Sequence, residues 1–252
     1  MKVYIAGAGA GKPEWLTVEV DRLLRGAKIC IYAGSLVNPQ ILELLPADCE
    51  RHDSAGLCLD QIIDLCVDAK TRNLDVVRLH TGEPSLYGAI GEQMNALAER
   101  GIEFEMIPGI SAFQASAAAL RCELTAPEIA QTVILTRAAG RTPLPPEQEL
   151  ARLAEHKATL CIYLSTENVS SICAQLRPFY GEACPAAVVY HASWPDEQIF
   201  RGTLETLPQL VETAEIRRTA LILVGQALDR PQSVSRLYDA SFSHGYRGSK
   251  ES

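Results

Sequence analysis

The segment Val3-Tyr4-Ile5-Ala6-Gly7-Ala8-Gly9-Ala10-Gly11 places a short apolar strand directly before a glycine-rich loop. Further short apolar runs recur along the chain, at residues 28–32, 75–80, 104–107, 132–136, 159–164, 187–191 and 220–224. Amphipathic stripes between these runs, such as the one over residues 59–67, have the spacing of helices that pack on a sheet. Strands that alternate with helices predict an α/β fold with mostly parallel sheets.

Two breaks in this alternation divide the chain. The pattern weakens at residues 120–131, and prolines interrupt residues 138–146, which we interpret as a long loop that follows a strand. We predict two α/β domains, residues 1–123 with the glycine-rich loops and residues 124–228, followed by a polar C-terminal tail at residues 229–252. At 252 residues the chain is long enough for a substantial core.

Composition narrows the class of protein. There are 23 Lys and Arg residues against 31 Asp and Glu residues, and the net charge of −8 argues against bulk binding to nucleic acid or a membrane surface. No apolar stretch approaches the roughly 18 to 20 residues of a membrane helix, and the N-terminus lacks the layout of a signal peptide. We predict a cytoplasmic protein with no nucleic-acid or membrane partner.

The eight cysteines form no C-x-x-C pair, and several lie inside apolar runs. Such cysteines behave as small hydrophobic residues, so we predict reduced, mostly buried thiols rather than disulfides. No spacing of Cys, His, Asp and Glu residues matches a metal-binding motif, and we predict no metal site.

The first glycine-rich loop fits neither of the two standard nucleotide-binding motifs. A dinucleotide fingerprint needs a glycine where Lys12 stands and an acidic residue at the end of the second strand, where Tyr32 is followed by Ala33. A phosphate-binding loop needs a glycine at Ala6 and a Ser or Thr at Pro13. Taken alone, the loop is explained as well by a tight turn as by a ligand-binding site.

Two more glycine-containing loops follow strands in the same half of the chain. They read Thr81-Gly82-Glu83-Pro84-Ser85-Leu86-Tyr87-Gly88 and Pro108-Gly109-Ile110-Ser111-Ala112-Phe113. Ligands of open parallel sheets bind beyond the carboxyl ends of the strands. Three such loops after three strands therefore predict one ligand-binding crevice.

Together these motifs resemble the tetrapyrrole methylases that use S-adenosylmethionine, in the branch that builds the corrin ring. The resemblance runs nearly from end to end of the chain. It is carried by the three loops and by residues 32–38, 52–55, 131–137, 140–143, 192–197 and 218–225. It implies two α/β domains with the cofactor in the cleft between them, and a homodimer.

The resemblance also implies a reaction. The methyl group of S-adenosylmethionine would move to carbon C11 of precorrin-4, an anionic tetrapyrrole, and the products would be precorrin-5 and S-adenosylhomocysteine. A cobalt-bearing substrate, or another ring carbon, stays open as an alternative. A nucleotide-binding protein without catalytic activity also stays open, whereas a dinucleotide oxidoreductase already fails at Lys12 and Ala33.

Site residues follow from the resemblance, position by position. Contacts to the cofactor are expected from Ala10, Thr81, Gly82, Glu83, Leu86, Ser111, Ala112, Phe113, Leu164, Ala192, Thr219 and Ala220. Contacts to the substrate are expected from Ser35, Asn38, Asp53 and Arg141. Candidates for the residue that accepts the proton are His52, Asp53, His80, Glu83 and Tyr87. Structural roles are the alternative to ligand binding for three of these residues. Ser111 would suit a helix cap, and Leu164 and Ala192 would suit packing on a buried strand.

The chain departs from the family pattern in two of the three loops. Ala10 stands in place of a proline and Lys12 in place of an acidic residue, and Glu83 replaces an aspartate. The longer carboxylate of Glu83 can reach the same partner if its loop shifts. Ala33 takes the place of the acidic residue found in relatives that methylate uroporphyrinogen, which argues against that earlier reaction.

Overall fold

The computed structural model describes residues 1–140, 142–229 and 242–243, with the backbone alone at Ser35. The chain forms two compact units. The first unit comprises residues 1–116 together with residues 191–197, and the second comprises residues 117–190 and the chain from Gln198 onward. The domain bounds predicted from the sequence, 1–123 and 124–228, stay a prediction, and nearly all of the predicted tail lies outside the described residues.

Strands and helices alternate through most of the described chain. In order they are β1 Lys2–Gly7, α1 Val18–Gly26, β2 Ile29–Tyr32, α2 Pro39–Leu42, β3 Glu50–Asp53, α3 Leu59–Thr71, β4 Val76–His80, α4 Ile90–Glu99, β5 Glu103–Ile107, α5 Ala112–Leu120, β6 Val133–Arg137, α6 Leu150–Ala154, β7 Thr159–Tyr163, α7 Val169–Tyr180, β8 Pro185–Tyr190, β9 Gln198–Thr203, α8 Leu207–Thr213 and β10 Ala220–Val224. No helix in this part of the chain is long and apolar enough to cross a membrane.

The first unit is built on a five-stranded sheet of order β3-β2-β4-β1-β5, in which all neighbouring strands are parallel. β1 lies between β4 and β5 in this sheet, with Val3 opposite Val76 of β4 and Lys2 opposite Glu103 of β5. Because the strands run in one direction, the loops that follow them share one edge of the sheet. The predicted α/β fold is confirmed, and this edge is where its ligands are expected.

Helices cover both faces of the first sheet, which explains why its strands read as continuous apolar runs. α1 and α2 bury Leu24 and Ile41 on one face, and α3 buries Ile63 on the other. Each such side chain contributes about 1.5–3 kcal/mol when it leaves water. α1 begins after Thr17, whose hydroxyl accepts a hydrogen bond from the N–H of Val20 at 3.3 Å.

The second unit contains a five-stranded sheet of order β6-β7-β10-β8-β9. β6 and β7 are parallel, but β10 is antiparallel to both β7 and β8, and β9 is antiparallel to β8. The prediction of mostly parallel sheets is therefore wrong for this unit. Only residues 191–197 connect β8 to β9, and a connection that short permits an antiparallel pair but not a parallel crossover.

Two strands carry too little apolar signal to be predicted from the sequence. β3 reads Glu50-Arg51-His52-Asp53 at the edge of the first sheet, and β9 lies at the edge of the second. Charged and polar residues on edge strands discourage pairing with other chains, and they also erase the apolar pattern.

The cysteines are free thiols, and most of them are buried. The buried ones are Cys30, Cys49, Cys66, Cys161, Cys173 and Cys184. Burial raises the pKa of Cys30 and of Cys161 to about 12. Cys122 is half-buried and Cys58 is exposed, so the prediction of mostly buried, unpaired thiols is confirmed.

Brief treatment with N-ethylmaleimide at about pH 8 should modify Cys58 before the other cysteines, because the thiolate is the reactive form and buried thiols ionise poorly. Intact-mass spectrometry of the folded chain should show one early adduct. The Cys58→Ser variant, treated in the same way, should show none over the same period. Simultaneous labelling of several cysteines would contradict the burial described here.

Candidate active site

Four glycines bring the loops after β1, β4 and β5 into backbone contact. The N–H of Gly9 donates to the carbonyl of Gly82 at 3.2 Å, and the N–H of Gly82 donates to the carbonyl of Gly9 at 2.8 Å. A Cβ on Gly7 would lie 2.6 Å from both the Gly109 nitrogen and the Gly82 oxygen. A Cβ on Gly109 would clash with that same oxygen. Glycine is therefore required where the loops meet, and the sequence predicted this meeting of three loops.

Glu83 ties the second loop to the third. Its Oε2 accepts a hydrogen bond from the N–H of Gly109 at 2.9 Å, and its Oε1 accepts one from the N–H of Ser85 at 3.0 Å. Partial burial alone would raise the pKa of Glu83, but the two backbone hydrogen bonds outweigh burial and hold the pKa below its ordinary value. Both oxygens are engaged, so this carboxylate fixes the loops and is poorly placed to accept a proton from a ligand.

The segment of residues 191–197 packs on the first glycine loop. The indole Nε1–H of Trp194 donates to the carbonyl of Ala10 at 2.7 Å, and any side chain at Gly11 would overlap the indole ring. The indole also stacks on the imidazole of His191, with ring centroids 4.6 Å apart. Trp194 belongs to a segment that carried the resemblance but was not itself predicted as a site residue, and it fixes the position of the first loop.

The loop after β2 reaches the same edge of the sheet. Asn38 is buried, and its Nδ2–H donates to the carbonyl of Gly11 at 3.1 Å while its Oδ1 caps the first turn of α2. Asp53 ends β3 and accepts from the N–H of Ala55 at 2.8 Å, and its side chain is exposed. His52, one residue earlier, is half-buried. The Asn38 amide is thus engaged within the chain, whereas Asp53 keeps surface for a ligand.

The second loop ends in strained backbone. Tyr87 and Ala89 have φ angles of 57° and 48°, a region that costs a residue with a side chain roughly 1–3 kcal/mol. A Cβ on Gly88 would overlap the carbonyl of Pro84. Tyr87 is 44% exposed and borders a cavity of about 320 Å³ in the first unit. Strained backbone of this kind is concentrated where proteins bind ligands.

In the second unit, the end of β7 lies beside the start of β10, which brings together Leu164, Thr219 and Ala220. The antiparallel pairing of β10 with β7 places Ile222 opposite Ile162, which sets Ala220 at the level of Leu164. Leu164 and Thr219 both have a φ of 55°. Leu164 is 76% exposed, so the competing interpretation of a packed strand residue is wrong at this position.

The other predicted contacts to the cofactor occupy different surroundings. Ser111 lies directly before α5, and its N–H donates to Oε1 of Gln114 at 2.9 Å, one half of a helix capping box. Ala112 and Phe113 form the first turn of α5. Ala192 is buried within the first unit, in agreement with a packing role, although its predicted contact to the cofactor stays a prediction.

Two predicted contacts to the substrate, Arg141 and the side chain of Ser35, lie outside the described residues. Among the residues that are described, no group of three or more His, Cys, Asp or Glu side chains could hold a metal ion. The predicted roles of the site residues in binding stay predictions, because the contacts above are contacts within the chain.

Residues 2–208 match the protein family described as Tetrapyrrole (Corrin/Porphyrin) Methylases. The precorrin-4 C(11)-methyltransferase of Pseudomonas aeruginosa is 48% identical over 248 residues, which cover 98% of this chain and 99% of that protein. The cobalt-precorrin-4 C(11)-methyltransferase of Methanocaldococcus jannaschii is 46% identical over 250 residues, which cover 98% of this chain and 96% of that protein.

Two solved structures share the fold over about nine-tenths of the chain. The X-ray structure of a cobalt precorrin-4 methyltransferase matches with a TM-score of 0.88 and 41% identity, and covers 90% of this chain and 96% of that one. The uroporphyrin-III C-methyltransferase from Thermus thermophilus, complexed with S-adenosylhomocysteine, matches with a TM-score of 0.76 and 27% identity. That match covers 91% of this chain and 94% of that one.

Replacement of Gly7 by Ala should destabilise the chain by about 1–3 kcal/mol, because the added methyl group overlaps backbone atoms that move only if the loops separate. Gly26→Ala is the matched control. In the described part of the chain nothing lies within 4 Å of its Cβ position at the end of α1, so stability should be unchanged or raised by up to about 1 kcal/mol. Urea unfolding measures both variants, and equal stabilities would contradict the close approach of the loops.

Glu83→Gln should lower the free energy of unfolding at neutral pH, because an amide accepts these hydrogen bonds less strongly than a carboxylate. The pKa of Glu83 is depressed in the folded chain, so its contribution is fully present above the ordinary value of 4.5 and is lost as the pH falls through the folded value. The difference between wild type and variant should be constant at neutral pH and should shrink as the pH falls below the ordinary value of 4.5. Glu99→Gln, on the exposed end of α4, is the control. A difference that does not change with pH would contradict the role assigned to the carboxylate.

Proposed function

The chain belongs to the tetrapyrrole (corrin/porphyrin) methylases, and we propose that it is an S-adenosylmethionine-dependent enzyme that methylates carbon C11 of precorrin-4. The observation that carries the proposal is the identity of 48% and 46% with two C11-methyltransferases over nearly the whole length of both partners. The geometry supports it, because three glycine loops converge at the carboxyl edge of a parallel sheet, where such folds bind ligands.

The proposed reaction is an in-line displacement at a methyl carbon. An electron pair of the substrate ring forms the bond to the methyl group, the bond from that carbon to sulfur breaks, and its electron pair stays on sulfur. The products are precorrin-5 and S-adenosylhomocysteine. The protein needs to supply no nucleophile. It holds the two molecules in line, which can contribute roughly 7 to 11 kcal/mol, and it keeps water away from the sulfonium.

We propose that the second and third loops hold the methyl donor. Open space lies beside Gly82, since no described residue has an atom within 4 Å of its Cβ position. Thr81 is exposed next to it, and Leu86 borders the cavity in the first unit. Uncharged backbone and hydroxyl groups can hydrogen-bond to the adenosine part of the donor without placing a positive charge near the sulfonium. Further contacts are proposed for Ala10, Ser111, Ala112, Phe113, Leu164, Ala192, Thr219 and Ala220, and Glu83 supports the site by joining two loops.

A proton must leave the substrate when the ring electrons rearrange. Glu83 is engaged by backbone amides, and burial, with the help of a neighbouring arginine, lowers the pKa of His80 to about 3, so both are weak acceptors. We propose His52, Asp53 and Tyr87 as the acceptors to test. Asp53 is exposed beside the loop after β2, where we also propose contacts to the substrate.

The two forms of the substrate stay alternatives. The Pseudomonas aeruginosa relative is named for precorrin-4 and the Methanocaldococcus jannaschii relative for cobalt-precorrin-4, and their identities to this chain differ by only two percentage points, 48% against 46%. The homodimer, the cytoplasmic location, and the absence of nucleic-acid and membrane partners stay predictions.

Incubation of the purified chain with precorrin-4 and S-adenosylmethionine labelled with ¹³C in the methyl group tests the proposed function. We expect one labelled methyl group per ring, located at C11 by NMR, and an equal amount of S-adenosylhomocysteine. A parallel incubation with cobalt-precorrin-4 decides between the two forms of the substrate. A label on another carbon, or no transfer to either substrate, would contradict the proposal.

Calorimetry on the same preparation separates catalysis from binding alone. We expect S-adenosylhomocysteine to bind with a Kd on the order of 1 μM, about −8 kcal/mol, and NAD to give no heat of binding. Binding of NAD without S-adenosylhomocysteine would favour an oxidoreductase. Binding of S-adenosylhomocysteine without any methyl transfer would favour the non-catalytic alternative.

A further inference from the structure

β4 carries two polar side chains into the interior of the first unit. Successive residues of a strand face opposite sides of the sheet, so Val77 and Leu79 pack with α1, whereas Val76, Arg78 and His80 face α3 and α4. Arg78 and His80 are each only 6% exposed. Both border the cavity of about 320 Å³, which is also lined by residues of α3, α4 and the strained second loop.

The guanidinium of Arg78 is buried, and its partners in the described part of the chain are neutral. Its Nε–H donates to Oε1 of Gln93 at 3.1 Å and its Nη1–H donates to the carbonyl of Ile31 at 3.3 Å, while Nη2 donates to no described residue. Among the described residues, no carboxylate lies within 4.0 Å of Arg78, and Glu92, which borders the same cavity, is exposed. Buried charges are normally paired, because an isolated charge is costly to remove from water.

His80 adds a second polar group that has no partner among the described residues. Its Nε2 is buried and makes no hydrogen bond to any described residue. Burial, and to a smaller degree the charge of Arg78, lowers the pKa of His80 to about 3, so the ring is neutral at neutral pH. A neutral imidazole with its proton on Nε2 is a hydrogen-bond donor. Arg78 and His80 therefore supply two unused donors on the same wall of one cavity.

The rest of the cavity wall is mainly apolar. The apolar residues that line it include Ala33, Leu36, Leu57, Leu59, Ile62 and Leu86. Its volume lies at the lower end of the range for ligand pockets, so it can hold one edge or one arm of a large molecule. An apolar wall with one buried cation complements a group that joins a hydrocarbon part to a single carboxylate.

We propose that this cavity is a carboxylate-binding subsite in which Arg78 and His80 hold one carboxylate of a ligand of the methyl transfer. The inference rests on the proposed function, which supplies two sources of that group: the carboxylates at the rim of the tetrapyrrole, and the carboxylate at the methionine end of S-adenosylmethionine. A carboxylate accepts hydrogen bonds from a guanidinium with charge assistance and would neutralise the buried cation.

Two variants test the subsite, with dissociation constants measured for precorrin-4 and for S-adenosylhomocysteine. Arg78→Met should weaken binding of one of the two ligands by about 30-fold or more, because it removes the charged partner of a buried pair. His80→Leu should weaken binding of the same ligand by about 3- to 10-fold, since it removes one hydrogen bond from a neutral donor. Weaker binding of the tetrapyrrole assigns the carboxylate to the substrate, and weaker binding of S-adenosylhomocysteine assigns it to the methyl donor.

Arg177→Gln is the matched control, because it removes a guanidinium that donates to the carbonyl of Leu204 in the second unit. It should leave both dissociation constants unchanged. The His80→Leu variant loses a buried nitrogen that has no partner among the described residues, so the unfolding temperature of this variant should equal or exceed that of wild type. If Arg78→Met does not fold, the binding measurements on His80→Leu decide the test.

The subsite would be overturned if the folded His80→Leu variant bound both ligands with the same dissociation constants as wild type. A variant with a lower unfolding temperature and unchanged binding would overturn it as well. Failure of the wild-type chain to transfer a methyl group would instead contradict the proposed function. The dissociation constants would then still decide whether Arg78 and His80 bind a carboxylate, so the two failures can be told apart.

Discussion

The first unit depends on a close approach of three backbone segments. Strands β1, β4 and β5 run parallel, so the chain leaves all three at one edge of the sheet, and the loops meet where Gly7, Gly82 and Gly109 stand. Because a Cβ on Gly7 or Gly109 would overlap backbone atoms of the neighbouring loops, the loops approach each other there through their peptide groups. The hydrogen bonds between Gly9 and Gly82 hold two of the loops together.

Glu83 and Trp194 also hold the loops in place. Glu83 joins the second loop to the third through the N–H of Gly109, and Trp194 reaches the first loop from a part of the chain that is remote in sequence. Residues 191–197, which connect β8 to β9, therefore belong to the first unit, whereas β8 and β9 themselves belong to the second. Side chains thus fix the position of the loops, which leaves peptide groups at the edge for a ligand.

The sequence predicts the glycine junction because glycine there has a simple physical reason, a lack of room for a side chain at Gly7 and Gly109 and a positive φ of 63° at Gly82. It does not predict β3, whose four residues Glu50–Asp53 are charged or polar, because an edge strand needs little apolar surface. The sequence also does not predict the direction in which neighbouring strands of the second sheet pair, since apolar runs look alike in parallel and antiparallel strands. The hydrogen bond from Gly109 to Glu83, and the burial of Arg78 without a carboxylate partner among the described residues, depend on residues that are distant in sequence and need the folded chain.

Amide hydrogen exchange, measured with and without S-adenosylhomocysteine, tests most directly whether the loops joined by glycine form the site of the methyl donor. If they do, the ligand should slow exchange at the amides of residues 81–86 and 109–113, while amides on the exposed side of α3 exchange as before. Binding of S-adenosylhomocysteine with unchanged exchange at both loops would contradict it.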